Sequence, residues 1–122
     1  MTLQQALDRL DELYHNTYSS AQKTAWLSQL DGRIHTKILS THEGTVSDFS
    51  GYDGNASSDT VLLVPGPFDE IYIHYLVMQL AYHNGELERY NNAASLFQAA
   101  WDGFARHYNR THLPKTQGWK FP

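Results

Sequence analysis

Apolar residues along this chain recur at helical spacing in four separate stretches, and the last stretch is the longest. Leu87, Tyr90, Ala94, Phe97, Trp101, Phe104 and Tyr108 follow one another at alternating intervals of three and four, which lays a single apolar stripe along one helix. The stripe predicts a helix from Glu86 to about Asn109 and requires a partner surface. The preceding segment, Pro67 to Asn84, is apolar on most sides, with Phe68, Ile71, Tyr72, Ile73, Tyr75, Leu76, Val77, Met78, Leu80 and Tyr82. A helix with no polar half belongs at the centre of its domain. Pro67 suits the first helical position, and Asp69 and Glu70 place negative charge at the positive end of the helix dipole. Gly85 supplies a left-handed stop between the two helices.

Two further helices precede this pair. Thr2 and Gln5 have the form of a capping box, after which Leu3, Leu7, Leu10 and Tyr14 share one face, so the first helix runs from about 2 to 15. Asn16 to Ser20 is polar and breaks it. Ala21 to Thr41 reads as the second helix, with Trp26, Leu30, Ile34 and Ile38 at every fourth position. Gly32 interrupts that pattern at a cost of about 1 kcal/mol relative to Ala, which marks a kink or a close helix crossing. From His42 to Thr60 the composition turns to glycine, serine and acid, and a loop of that length inside a compact domain is either functional or disordered. Val61 to Val64 is a short β-branched run before Pro65, consistent with a small extended segment or edge strand. Pro114 ends the last helix and leaves an irregular tail carrying Trp119 and Phe121.

The pattern predicts an all-α fold: a four-helix bundle with a long loop and a short extended segment between helices two and three, and an irregular C-terminal tail. Residues 1–112 form the helical domain and 113–122 its tail, all within one domain, as 122 residues suit a single core. Trp26, Ile34, Tyr75, Tyr90, Phe97, Trp101 and Phe104 are its expected core. Large aromatics on both partners set the separation of the antiparallel last pair.

Composition adds charge to this picture. The formal net charge of −4 conceals an asymmetry, because Met1 to Asp102 holds 5 cations against 13 acids while Gly103 to Pro122 holds 4 cations and no acid. No Lys or Arg occurs between Lys37 and Arg89, an interval with eight acids. Such a body does not suit wrapping duplex DNA, whose affinity for proteins comes mostly from Lys and Arg. The asymmetry is either a solvated surface with a basic end or a complementary pair of contact surfaces. There is no cysteine, so disulfides and thiolate metal sites are excluded. No apolar run approaches the roughly 18 residues that would span a bilayer, and the first residues lack an export signal. A soluble protein made in the cytosol is expected.

Chemistry-bearing motifs are sparse. The seven histidines show no HExxH or paired ligand spacing, and Glu70 with His74, one turn apart, suits helix stabilisation better than catalysis. The loop acids lack calcium-loop spacing, and its glycines match neither a dinucleotide nor a phosphate-binding pattern. No nucleophile elbow is present. Ala93, Phe97 and Ala100 have the small-large-small spacing of a tetratricopeptide helix, but no second copy follows at 34 residues. A coiled-coil seam fits the aromatic stripe less well than an intramolecular bundle does. No enzyme, no cofactor and no metal are expected. Apolar residues beyond the last helix, Trp119 and Phe121, point to docking, either back onto the same chain or onto a neighbour.

Whole segments of the chain nevertheless carry a resemblance. WLSQLDGRIHTKIL with THEG, LLVPGPFDEIYIHYL, AYHNGELERYNN and YNRTHLPK resemble the small head-to-tail connector, or adaptor, proteins that tailed bacteriophages and prophages encode near their head genes. The likeness spans roughly residues 24 to 115 and is strongest at LDGRI, PFDE, YNN and YNRTH. It implies a helical, non-enzymatic virion subunit at the head-tail interface. Such subunits assemble with themselves into a ring, commonly twelvefold, beneath the portal protein, extend the DNA channel and receive the tail or a stopper protein. DNA would pass through without specific binding, and an acidic wall would favour that.

A head-to-tail ring needs two different complementary surfaces on each subunit. Phe49 and Tyr52 in the acidic loop, and Arg110, Lys115, Trp119, Lys120 and Phe121 at the basic end, are the candidate interface residues. That choice comes from charge and position and not from the resemblance. A contrasting expectation is a small helical interaction or scaffolding protein, monomeric or dimeric, using the same apolar tail.

Overall fold

The computed structural model describes residues 1–42, 48–53, 57 and 59–113. Four α-helices follow one another: α1 (Leu3–Leu13), α2 (Ser20–Lys37), α3 (Glu70–Asn84) and α4 (Leu87–Thr111), with a 3₁₀ turn at Leu39–Thr41 after α2. No strand occurs among the described residues, so the all-α bundle expected from the sequence is the fold.

Local chemistry sets the helix ends. Thr2 Oγ1 accepts from the Gln5 N–H at 3.2 Å, and Gln5 Oε1 accepts from the Thr2 N–H at 2.9 Å, which completes the capping box. Ser19 Oγ accepts from the Gln22 N–H at 3.1 Å and starts α2. α2 is continuous through Gly32, but it stops at Lys37 and not at Thr41. The Ser40 and Thr41 hydroxyls donate to the Thr36 and Ile38 carbonyls, both at 2.8 Å, and so satisfy acceptors that a further helical turn would have taken.

α3 begins at Glu70, three residues later than the position of Pro67 predicts. Pro65 to Asp69 is spent on a turn closed by the Phe68 N–H to the Pro65 carbonyl at 3.0 Å, with a cis Gly66–Pro67 peptide bond within it. Asp69 is the N-cap residue without a side-chain capping bond. At the other end Gly85 adopts φ 72°, and the Glu86 N–H donates to the Ala81 carbonyl at 2.9 Å. That is the left-handed reversal expected there, and it folds α4 back along α3.

α3 is the central helix and packs against α1, α2 and α4. Ile71, Tyr72, Ile73, Tyr75, Leu76, Val77, Leu80 and Ala81 are buried, so consecutive positions around the helix all face protein. Val61 and Leu62 find their partner at the start of the chain before the backbone bends at Leu63 and Val64. The Leu3 N–H donates to the Thr60 carbonyl at 2.8 Å and the Leu62 N–H to the Met1 carbonyl at 3.0 Å, around an isolated antiparallel bridge between Thr2 and Val61. Leu62 and Val64 point inward while Val61 is exposed, the alternation of extended chain.

Of the residues expected in the core, Trp26, Ile34, Tyr75, Phe97 and Phe104 are buried there. Trp101 packs against the core from its edge, half-buried beneath the Arg33 guanidinium at 5.6 Å. Tyr90 does not belong to the core: it is half-buried beside the exposed Tyr82, with ring centroids 5.9 Å apart. Leu87, the first member of the stripe, is 72% exposed. The exposure of Leu87 has a geometric cause that Tyr90 does not share, since the 18 residues from Tyr90 to Tyr108 make about five full turns and leave the two on the same face. A strict three-four alternation drifts by about 20° per heptad on a straight helix, hence about 60° over the three heptads from Tyr108 back to Leu87. The buried side of α4 therefore passes through Ala93, Phe97 and Phe104.

Candidate interaction surfaces

The sequence makes Asp31 the one acid embedded in the apolar side of α2, and the fold makes it a hub. Its carboxylate is fully buried. Tyr72 Oη donates to Oδ1 at 2.7 Å, Tyr52 Oη donates to Oδ2 at 2.5 Å, and the Leu63 N–H donates to Oδ2 at 3.1 Å. Tyr72 Oη in turn accepts from the Val64 N–H at 2.7 Å. One side chain on α2 thus ties down the loop at Tyr52, the extended segment at Leu63 and, through Tyr72, α3. Burial pushes the Asp31 carboxyl above the usual carboxylate range, with the tyrosine and backbone donors opposing it. Burial and the Asp31 carboxylate raise both tyrosine hydroxyls well above their ordinary range.

Phe49 and Tyr52, expected at an interface, are thereby drawn onto their own bundle. Both are half-buried, their rings meet edge to face at 5.1 Å, and Phe49 lies over His35 at 6.3 Å. Gly51 lets this happen, with φ 93° and a Tyr52 N–H that donates to Ser28 Oγ at 3.0 Å. A second clasp closes the far end. The buried His42 donates from Nδ1 to the Ile38 carbonyl at 2.6 Å, its Nε2 meets the Asn109 carboxamide at 2.5 Å, and its ring stands edge-on to Tyr108 at 4.8 Å.

Two surfaces remain outside this frame. The first is a groove of about 690 Å³ over α3, between the C-terminal end of α1 and the N-terminal half of α4. Leu13, Leu87 and Leu96 stand on its rims, 53%, 72% and 53% exposed, with Ile73, Val77 and Ala93 on its floor. Three glutamates, Glu70, Glu86 and Glu88, line it against one arginine, Arg89. Glu86 pairs with Arg89 at 2.7 Å, and the Arg89 guanidinium lies over the Tyr14 ring at 5.1 Å. Glu70 pairs with Arg9 at 2.7 Å and not with His74. His74, half-buried in the same groove, is held below its ordinary value chiefly by burial, with Glu70 opposing and Arg9 assisting.

The second surface is the opposite end of α4, where Arg106 and Arg110 are exposed and Leu113 is 71% exposed. The other candidate interface residues, Lys115, Trp119, Lys120 and Phe121, lie outside the described residues. No group of acids and histidines suited to holding a metal occurs among the described residues, and no described helix is long and apolar enough to cross a membrane.

The periodic pattern takes Tyr72 only as an apolar position of α3 and His42 only as the start of a loop, and it singles out neither Asp31, Asn109 nor the groove. Two of these left a signal: an acid directly after Leu30 inside an apolar series needs buried donors, and Leu96 stands off the aromatic stripe of α4. The fold and its surfaces define a class, a rigidly cross-tied α-helical bundle with two unlike outer faces. No protein-family model, curated protein or solved structure matches this chain.

Proposed function

We propose that the chain is a head-to-tail connector subunit of a tailed bacteriophage or prophage, a structural virion protein that forms a ring beneath the portal. The observation that supports it most is how the segments carrying the resemblance interlock. Asp31 of LDGRI receives the hydroxyl of Tyr72, which follows PFDE, and the backbone of Leu63 just before it. His42 of THEG meets Asn109 of YNRTH, and AYHNGELERYNN makes the reversal at Gly85. The shared segments are thus the frame of one rigid subunit, as expected where the role is assembly and not chemistry. Each subunit also offers an acidic, leucine-rimmed groove and a basic end, two unlike faces of the kind a closed head-to-tail ring requires. Portal above and tail or stopper below would be its partners, with DNA passing through the centre.

Co-sedimentation of the purified chain with the portal protein of the same genome, followed by negative-stain imaging, tests the proposal. Rings seated on portal are the expected result. A chain that binds no portal and acts only as a monomer or dimer on some other protein refutes it in favour of a small interaction protein.

A further inference from the structure

We infer that the groove between α1 and α4 receives the segment following α4 from a second copy of this chain, with Trp119 and Phe121 seated between Leu13, Leu87 and Leu96. The inference deepens the assembly reading and rests on it only in requiring self-association. Exposed leucines on both rims of a concave surface leave apolar area without a partner. The segment after Leu113 has the matching chemistry: Trp119 and Phe121 are large anchors of the type that dominates interfaces, and Lys115 and Lys120 are its only charged residues. The groove answers with three glutamates, of which Glu70 and Glu86 already have arginine partners. Glu88 has no ion pair among the described residues, so an incoming lysine meets an acid whose charge is not neutralised.

Distance places this contact between copies. α4 spans 25 residues, and its groove-lining stretch lies at the end remote from Leu113. From Thr111 back to Leu96, the nearest groove residue on the helix, is about 22 Å at 1.5 Å per residue. Trp119 stands eight positions beyond Thr111. Eight residues span at most about 26–29 Å at full extension, so within its own subunit Trp119 reaches only the Leu96 end of the groove, and only with the chain fully drawn out, while Leu87, about 36 Å back along the helix, lies beyond it. Seating between Leu13, Leu87 and Leu96 therefore falls to a neighbouring copy. Donor and acceptor faces at opposite ends of one subunit make a heterologous contact, which propagates as a ring if the rotation closes.

Complementary variants of the full chain test this without portal. Leu87→Lys blocks the groove at an exposed position, and Trp119→Ala blocks the segment. Light scattering and sedimentation across a concentration series should show the wild type self-associating. Each variant alone should associate at least tenfold more weakly, and an equimolar mixture should form a one-to-one pair, since one partner keeps a groove and the other a segment. A peptide of residues 109–122 should bind the wild-type chain and bind Leu87→Lys at least tenfold more weakly, with both signals falling at about 0.5 M salt as screening shortens to a few Å. A wild type that stays monomeric, variants that associate like the wild type, a mixture that does not pair, or a peptide indifferent to Leu87→Lys each overturns the inference. Co-sedimentation of the same variants with portal separates the two readings: Leu87→Lys that binds portal while failing to self-associate leaves the connector reading intact.

Discussion

Replacing Tyr72 with Phe removes a single oxygen from the middle of the frame, and the geometry fixes what that oxygen does. The ring is fully buried, and Phe fills the same space, so packing is preserved. Two hydrogen bonds are lost, the donation to Asp31 at 2.7 Å and the acceptance from the Val64 N–H at 2.7 Å. Val64 is also fully buried, and a buried N–H left without an acceptor costs about 1–3 kcal/mol. The Asp31 carboxylate keeps the Tyr52 hydroxyl and the Leu63 N–H, but loses a bond of the charged class worth about 1.5–3 kcal/mol. The two losses share one group, so the expected destabilisation is about 3–5 kcal/mol, a large part of the 5–15 kcal/mol that ordinarily holds a domain together. Urea unfolding followed by tryptophan fluorescence measures it, with an unchanged slope confirming that only stability has moved. Tyr75→Phe is the internal control, because its hydroxyl reaches Gln29 only at 3.5 Å and its loss should be worth less than about 0.5 kcal/mol. If Tyr72→Phe and Tyr75→Phe lose the same stability, the Asp31 hub does not tie the loop, the extended segment and α3 together.

Asp31→Asn tests the charge at that hub. A folded-state value above the ordinary 3.8 means that the folded state holds its proton more tightly, so Asp31 contributes its full stability below the unfolded value and loses it as pH rises through the folded one. The stability of the wild type relative to Asp31→Asn should fall with rising pH across that window, and a flat difference in urea titrations refutes the assignment. Gly32→Ala should stabilise the protein by about 0.5–1 kcal/mol, because the added methyl meets the Phe49 ring at an ordinary 3.8 Å; a lower thermal midpoint would contradict this. Gly51→Ala should cost at least about 1–2 kcal/mol from its left-handed backbone alone, and more because the methyl would stand 2.9 Å from Ser28 Oγ. Gly85→Ala, with open space around it, should show the backbone cost only, so the difference between the two melting shifts reports the Ser28 contact.

Periodicity disclosed the bundle because most of its order is local. The capping box at Thr2, the embedded character of α3 and the reversal at Gly85 each depend on residues within one or two turns, and each is where the sequence places it. Errors arise where local preference meets a competing partner. Pro67 suits a helix start, yet the turn closed on Pro65 consumes the residues up to Asp69. Ile38 continues the apolar series of α2, yet the hydroxyls of Ser40 and Thr41 take the final carbonyls. Leu87 fits the three-four alternation by count, but only the accumulated rotation of the helix shows that it leaves the core face.

Surface chemistry was harder to read because it depends on which distant residues meet. Phe49 and Tyr52 are aromatic residues in an acidic, glycine-rich loop, and nothing within that loop distinguishes a side chain offered to a partner from one anchored at home. The deciding group is Asp31, 21 positions away from Tyr52. Once a buried carboxylate requires donors, Tyr52 and Tyr72 are recruited inward to it. The same reasoning relocates exposed apolar area to the groove, since Leu13 and Leu96 come from helices that both pack on α3 and leave a channel between them. Charge asymmetry along the chain then takes a specific form. Glu86 and Glu88 at the start of α4 and the exposed Arg106 and Arg110 near its C-terminal end lie far apart on one helix, and under the proposed self-association a neighbouring copy would bring the two ends together.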